Sequence, residues 1–260
     1  MAVSTVHKGA LLTVSGVGFD YEGIPVLDTV DLSVNRGEFV ALVGSSGCGK
    51  STLLNLISGL LSPGKGTITA NGISDSSGRL GNVSYMQQRD LLLPWRTIAE
   101  NCQLGMELRS ISRDVSKARV QELAKSFGLF DVLDHMPWQL SGGMRQRAAL
   151  MRTILLENDV LLLDEPFGAL DAITRTALQK WLLSVLVRSD KAVLLVTHDV
   201  EEAILLADRV MIMASEPGRI IAEVDVRLSE SSIESSFTSP AFVELRKGIL
   251  ALLERQEVSL

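Results

Sequence analysis

The sequence predicts an α/β fold: a core with a mostly parallel sheet, a smaller antiparallel β-subdomain ahead of it, and an inserted helical subdomain. Three observations carry this. Compact apolar runs of strand length at residues 39–43, 160–163, 193–196 and 210–213 are separated by longer, helix-patterned stretches. These runs are almost continuously apolar and rich in β-branched residues or Leu, the pattern of strands buried on both faces. The opening section is different, alternating or running as short strands broken by glycine.

In chain order, residues 1–10 are mixed polar and small, without the basic-then-apolar layout of a signal peptide. Residues 11–20, 30–34 and 66–72 read as the antiparallel strands, with 39–43 between them as the first parallel strand. Residues 90–157 are mainly helical and contain a polar stretch at 109–119. Between the second and third parallel strands, Ala177, Leu178, Trp181, Leu182, Val185 and Leu186 recur at helical spacing and make one apolar face. Strands alternating with helices in this way give parallel pairing. Residues 229–240 are Ser-rich and polar, a linker, and Phe242, Leu245, Ile249, Leu252 and Leu253 then mark a terminal amphipathic helix. The expected organisation is one domain over 1–228, its helical subdomain at roughly 90–157, and an appendage over 229–260. There is no internal repeat.

Composition narrows the function. A chain with 46% hydrophobic and 22% charged residues can build a core, so disorder is not its dominant state. A net charge of −6 and no Lys/Arg-rich run argue against nucleic acid as a partner. Cys48 and Cys102 form neither a metal spacing nor a disulfide framework, which fits a reducing compartment. No stretch approaches the roughly 18 uninterrupted apolar residues of a spanning helix. If the function involves a membrane, this chain is expected to work beside it.

Gly44-Ser45-Ser46-Gly47-Cys48-Gly49-Lys50-Ser51, followed by Thr52, fits the pattern G-x-x-x-x-G-K-[ST] directly after an apolar strand. Leu53, Leu54, Leu56 and Ile57 then suit a helix, which is the context this motif requires. Glycines let the backbone close around phosphates, and the helix N-terminus adds positive potential. Lys50 is expected to reach the β- and γ-phosphates, and Ser51 to hold Mg²⁺ through its hydroxyl. Alone, this loop specifies only a nucleoside triphosphate.

The run Val160-Leu161-Leu162-Leu163 ends in Asp164 and Glu165. Two acids at the end of an apolar strand are costly unless they meet a cation or polarise something. Asp164 is placed to hold Mg²⁺, usually through water. Glu165, facing away from it by strand alternation, can act as general base toward an attacking water.

Leu140-Ser141-Gly142-Gly143-Met144 lies about ninety residues after Lys50 and about twenty before Asp164. In this order and spacing the chain resembles the ATP-binding-cassette (ABC) ATPases over roughly residues 10–228. Met144 stands where Gln or Glu is commoner, and Cys48 occupies a variable loop position. The resemblance implies a P-loop ATPase core in which Tyr21 stacks on adenine, Gln88 is the Q-loop glutamine contacting Mg²⁺, Asp171 belongs to the D-loop Gly168-Ala169-Leu170-Asp171, and His198 is the switch histidine. Gln87 rivals Gln88; the latter lies six residues before Pro94, the family's usual interval. Ser141, Gly142 and Gly143 can offer donors at a helix start. The resemblance implies that they contact the γ-phosphate held by a second copy, so that a head-to-tail homodimer encloses two ATPs.

Leu92-Leu93-Pro94-Trp95-Arg96-Thr97, followed by Glu100-Asn101, resembles the segment found in importers of nitrate, sulfonates and taurine and in those of thiamine-precursor pyrimidines. The residues 239–246 resemble the same group's tail. Pro94-Trp95 makes a rigid apolar knob suited either to a membrane partner's helix or to ordinary packing of the helical subdomain. The resemblance implies a subunit peripheral to the cytoplasmic face of the membrane, working with permease subunits and a solute-binding protein. Two other classes are a non-transport ABC ATPase acting on nucleic acid or ribosomes and a regulatory subunit that binds ATP without splitting it. Single-cassette length and acidic charge weigh against the first; Glu165, His198 and the intact signature weigh against the second.

Overall fold

The computed structural model describes residues 9–186, 189–226 and 239–257. Most of the linker expected at 229–240, nearly all of the opening stretch 1–10, and the side chain of Leu186 lie outside the described residues. The chain begins with β1 (Ala10–Tyr21), β2 (Ile24–Asn35), β3 (Phe39–Gly44), α1 (Lys50–Ser58), β4 (Lys65–Ala70), α2 (Ser76–Arg79) and β5 (Ser84–Met86). A helical section follows, comprising α3 (Ile98–Leu108), α4 (Arg113–Ser126) and α5 (Gly142–Ile154). The core then resumes with β6 (Val160–Asp164), α6 (Ala172–Leu186), β7 (Ala192–Thr197), α7 (Val200–Leu206), β8 (Arg209–Ala214), β9 (Arg219–Asp225) and α8 (Pro240–Glu257).

The strands form two sheets. One has three antiparallel strands in the order β2-β1-β4; the other has six in the order β5-β6-β7-β3-β8-β9. Within the larger sheet the pairs from β5 to β8 are parallel, and β9 joins β8 antiparallel. Side-chain alternation explains why its central strands are apolar throughout. Ala41, Val43, Leu161, Leu163, Val193, Leu195, Val210 and Ile212 face a core shared with the helical section, α6, α7 and α8. The intervening Val40, Leu42, Val160, Leu162, Leu194, Val196, Met211 and Met213 face a second core with α1 and the antiparallel sheet. Both faces are therefore dry, and the layers are helix, sheet, then helix plus small sheet.

Two strands were not expected from the sequence. β5 has three residues, too few to show a period, and β9 is an edge strand whose residues are only partly buried. The polar stretch at 109–119 is the turn after α3 and the first half of α4, where solvent-facing polar residues are ordinary. The terminal helix packs on its own cassette: α8 buries Phe242 and Ile249 in the helical-side core, flanked by Leu245, Leu252 and Leu253. Arg209 fastens the two sheets, pairing with Glu38 and Glu223 at 2.5 Å each and donating to Ser33 O at 2.8 Å.

Candidate active site

The loop between β3 and α1 is shaped by close backbone approach. A Cβ on Gly44 would lie 2.5 Å from Met213 O, and one on Gly49 would lie 2.6 Å from Leu27 Cδ2. Gly49 also has φ +98°, a left-handed value that L side chains rarely adopt. It caps the start of α1 without a side-chain hydrogen bond, and the first turn carries no acid. The helix thus begins as a run of N–H donors at the positive end of its dipole, an anion site made by backbone alone. Ser45, Ser46 and Gly47 form the outer part of this loop, with Ser46 and Gly47 exposed. Lys50 is buried, and its Nζ donates to Gly44 O at 2.8 Å and Ser45 O at 2.7 Å, with Cys48 Sγ at 3.6 Å. Thr52 lies half-buried in the same first turn.

Across from this helix end, β6 delivers Asp164, which is 2% exposed. Burial raises its carboxyl above the ordinary aspartate range, against the hydrogen bond from Ser51; Glu165 raises it further and Lys50 opposes. A buried carboxylate beside a serine hydroxyl is a hard-oxygen donor pair. No cluster of three or more His, Cys, Asp or Glu able to hold a metal exists among the described residues. The Asp164–Ser51 oxygen pair fits the chemistry of Mg²⁺, which takes few protein oxygens and fills its shell with phosphate and water.

Pleat alternation does not aim Glu165. The strand ends at Asp164, and Glu165 turns into the left-handed region at φ +49°. Its N–H still bonds Val196 O at 2.9 Å, which seats it against β7. Its carboxylate receives Gln88 Nε2 on one oxygen at 3.2 Å and meets His198 Nδ1 on the other at 3.1 Å. It is Gln88, one residue past Gln87 in the stretch after β5, whose amide reaches this carboxylate, which leaves its Oε1 as an acceptor. His198 stands just past β7, and its neighbour Asp199 caps α7 by accepting from Glu201 N and Glu202 N. A carboxylate gripped by two side chains beside an anion-binding helix end can take a proton from water aimed at a phosphate.

Three further expected residues form a separate cluster. Ser141 caps α5, its Oγ accepting from Met144 N at 3.2 Å, and Gly142 and Gly143 open the helix. A Cβ on Gly143 would lie 3.3 Å from Ala169 O, so this end packs beside the loop holding Asp171. Asp171 caps α6 by accepting from Thr174 N at 3.0 Å, and those backbone and side-chain bonds from Thr174 lower its carboxyl. Tyr21 is half exposed at the end of β1, edge-on to Phe19 at 4.8 Å; β2, returning from that hairpin, is the strand that touches Gly49.

Sequence reasoning missed Gln146 and Glu202 near this site and gave Asn101 no role beyond its place in the segment that starts at Leu92. Gln146, buried in α5, donates to Glu165 O at 3.0 Å. Glu202 is buried in α7, where Thr197 Oγ1, next to His198 in sequence, donates to it and Gln179 Nε2 donates at 3.3 Å; burial raises its carboxyl. Asn101 is fully buried and donates to Leu93 O, Arg96 O and Thr97 O while accepting from Leu93 N. It holds the segment that presents Trp95, which is 70% exposed. The only prior signal for Gln146 and Glu202 was a polar side chain inside an otherwise apolar helical face.

Comparison with known proteins agrees with this fold. The profile of the ABC transporter family matches residues 27–168. The taurine import ATP-binding protein TauB of Yersinia pestis bv. Antiqua is 37% identical over 251 residues, spanning 95% of this chain and 98% of that protein. The TauB of Rhizobium johnstonii is 40% identical over 240 residues, spanning 90% and 91%. Among solved structures, the dimeric bacterial ABC transporter cassette MJ0796 superposes with a TM-score of 0.77 at 29% identity, covering 84% of this chain and 99% of that one. The same cassette in a post-hydrolysis dimer bound to ADP and Pi gives 0.76 at 28% identity.

Proposed function

This chain belongs to the ABC transporter family, and we propose that it hydrolyses ATP for an importer of a taurine-like sulfonate. The nucleotide-binding fold, the ATPase class and the importer class follow from the family and from relatives that span nearly the whole chain. The solute rests on the relatives' activity, taurine import, and on their identity of 37–40% with this chain. It also agrees with the Leu92–Thr97 segment, which resembles the same importer group. No helix among the described residues is long and apolar enough to cross a membrane; the relatives are import ATP-binding proteins, and by that likeness we assign the channel to separate permease subunits. A solute-binding protein completes such a system, and the chain works at the cytoplasmic face.

In this reading the Lys50 loop and the start of α1 grip the phosphates, and Tyr21 stacks on the adenine. Two copies join head to tail, so that one copy's Ser141, Gly142 and Gly143 close over the γ-phosphate bound by the other, with Asp171 at the seam. Ser51, Asp164 and Gln88 Oε1 would hold Mg²⁺, which would supply charge neutralisation at the phosphates. Glu165 takes a proton from water as that oxygen bonds to the γ-phosphorus and the bond to the bridging oxygen breaks, giving ADP and phosphate. His198 steadies Glu165 through Nδ1 and presents its other nitrogen toward the γ-phosphate. Closure on ATP and release after hydrolysis then bias the permease between two states.

The observation that carries the base assignment is the Gln88–Glu165–His198 contact set beside the Lys50 loop. Glu165→Gln keeps the shape but cannot accept the proton, so turnover falls by about a hundredfold or more while ATP still drives dimerisation. Steady-state hydrolysis with size-exclusion chromatography tests this; undiminished turnover in the variant would sink the assignment. Labelled taurine uptake in cells lacking the chain tests the solute: loss of uptake supports it, and unchanged uptake refutes it.

A further inference from the structure

We propose that Gln146 is a positioning residue that fixes the main chain of Glu165 and links it to the helix end that closes on the partner's nucleotide. This rests on Glu165 being the base and on Ser141 meeting the other copy's γ-phosphate. Glu165 holds a left-handed backbone, φ +49°, which a non-glycine residue keeps only when its surroundings enforce it. Three hydrogen bonds do so. Its N–H donates to Val196 O at 2.9 Å, and its carbonyl accepts from Gly168 N at 3.2 Å and from Gln146 Nε2 at 3.0 Å. The first comes from β7, which carries His198. The second is local to the turn. Gln146 alone reaches Glu165 from the helical section.

Its position on α5 gives the contact its consequence. Gln146 is 7% exposed and lies five residues after Ser141, little more than one helical turn from the Ser141-Gly142-Gly143 end. That end is stiffened by Arg145, which donates to Leu140 O at 2.7 Å and to Asp90 Oδ2 at 3.1 Å. Farther along, Arg152 bonds Asp90 O and Leu91 O at 2.7 and 2.8 Å. α5 therefore moves with the segment after Gln88. When Ser141 engages the partner's site, any small displacement of the helix end is passed by one amide to the carbonyl of Glu165. The chain thereby couples the site it completes for its partner to the base of its own site.

The test uses the purified full-length dimer. Gln146→Met keeps length and packing but removes the donor. Turnover is expected to fall by about tenfold or more, as misplacement of a catalytic group does, with the ATP concentration for half-maximal rate nearly unchanged. ATP-driven dimerisation of Glu165→Gln/Gln146→Met should equal that of Glu165→Gln alone, a readout that a general loss of structure would not spare. In a cycle with Ser141→Ala, the double variant should lose little beyond the more severe single change. Turnover of Gln146→Met within twofold of the parent, dimerisation falling in step with turnover, or strictly additive losses would each overturn the proposal. Should Glu165→Gln itself hydrolyse ATP normally, the base assignment fails instead, whatever Gln146 does.

Discussion

Asp164 sits 2% exposed at the end of β6, and burial disfavours its charge more than Ser51 and Lys50 favour it. Folding therefore raises its proton affinity. The stability it contributes is fully present below the unfolded carboxylate pKa near 4 and is lost as pH rises through the higher folded value. Each tenfold in proton affinity corresponds to about 1.4 kcal/mol. Asp164→Asn should thus raise the melting temperature near neutral pH, with the gain shrinking towards acid, while turnover is lost. Thermal unfolding across that range checks this, and a lower melting temperature at neutral pH would contradict it. Cys102 supplies a second case: burial pushes its thiol up to about 12, and the nearest bond is to Ala148 O at 3.7 Å. A thiol so protonated and enclosed should escape alkylation until the chain unfolds, as mass spectrometry before and after denaturant would show. At this scale the sequence pointed to candidate groups, since motif pattern names Lys50, Asp164 and Glu165 and the family resemblance names His198. It did not display the left-handed turn at Glu165, because that conformation is held by bonds to two distant segments, β7 and α5, together with one local to the turn.

Among the elements, α1 shows how a functional helix is held from its far end. Arg79 is 1% exposed and donates to Leu56 O and Ile57 O in the last turn of α1, and to Ile68 O and Ser74 O. A cation there adds a donor to Leu56 O, which also accepts from Gly59 N, supplies one to Ile57 O, and opposes the negative end of the helix dipole. Arg79→Met retains much of the apolar stem but removes those donors from buried carbonyls, so stability should drop on the order of 3 kcal/mol. Urea unfolding measures it; an unchanged midpoint would remove Arg79 from the support of the phosphate loop. Nothing in the sequence marks Arg79 among the other charged residues, since its role depends on α2 folding back beneath α1. By contrast, the capping box at Thr97 and Glu100 is local: Thr97 N donates to Glu100 Oε2 at 2.9 Å and Glu100 N to Thr97 Oγ1 at 3.2 Å. Local signals of that kind, like the apolar runs of β3, β6, β7 and β8, are readable without the fold. The edge strands β5 and β9 are not, because short or half-exposed strands lack a period.

On the scale of the whole molecule, the large sheet divides the protein into two dry layers, and α8 closes one of them. Phe242 and Ile249 enter the helical-side core, where α8 lies against α7 and β8. The terminal run of apolar residues was visible as an amphipathic face, but its docking site was not, because that surface is assembled from β8 and α7. Those two elements do not depend on α8 for their own anchoring near the active site. α7 is capped by Asp199 and pinned by the bond from Thr197 to Glu202, and β8 is paired on both sides by β3 and β9. Removing contact at the α8 interface should therefore weaken the fold without disturbing the Glu165–His198 geometry. Ile249 is 0% exposed, and Ile249→Ala is expected to cost about 2–5 kcal/mol from lost burial and the cavity left behind. Turnover per folded molecule should stay at the parent value well below the melting transition. Parallel melting curves and ATPase rates decide the matter: a loss of turnover at temperatures where the variant remains folded would show that α8 supports the catalytic histidine through α7.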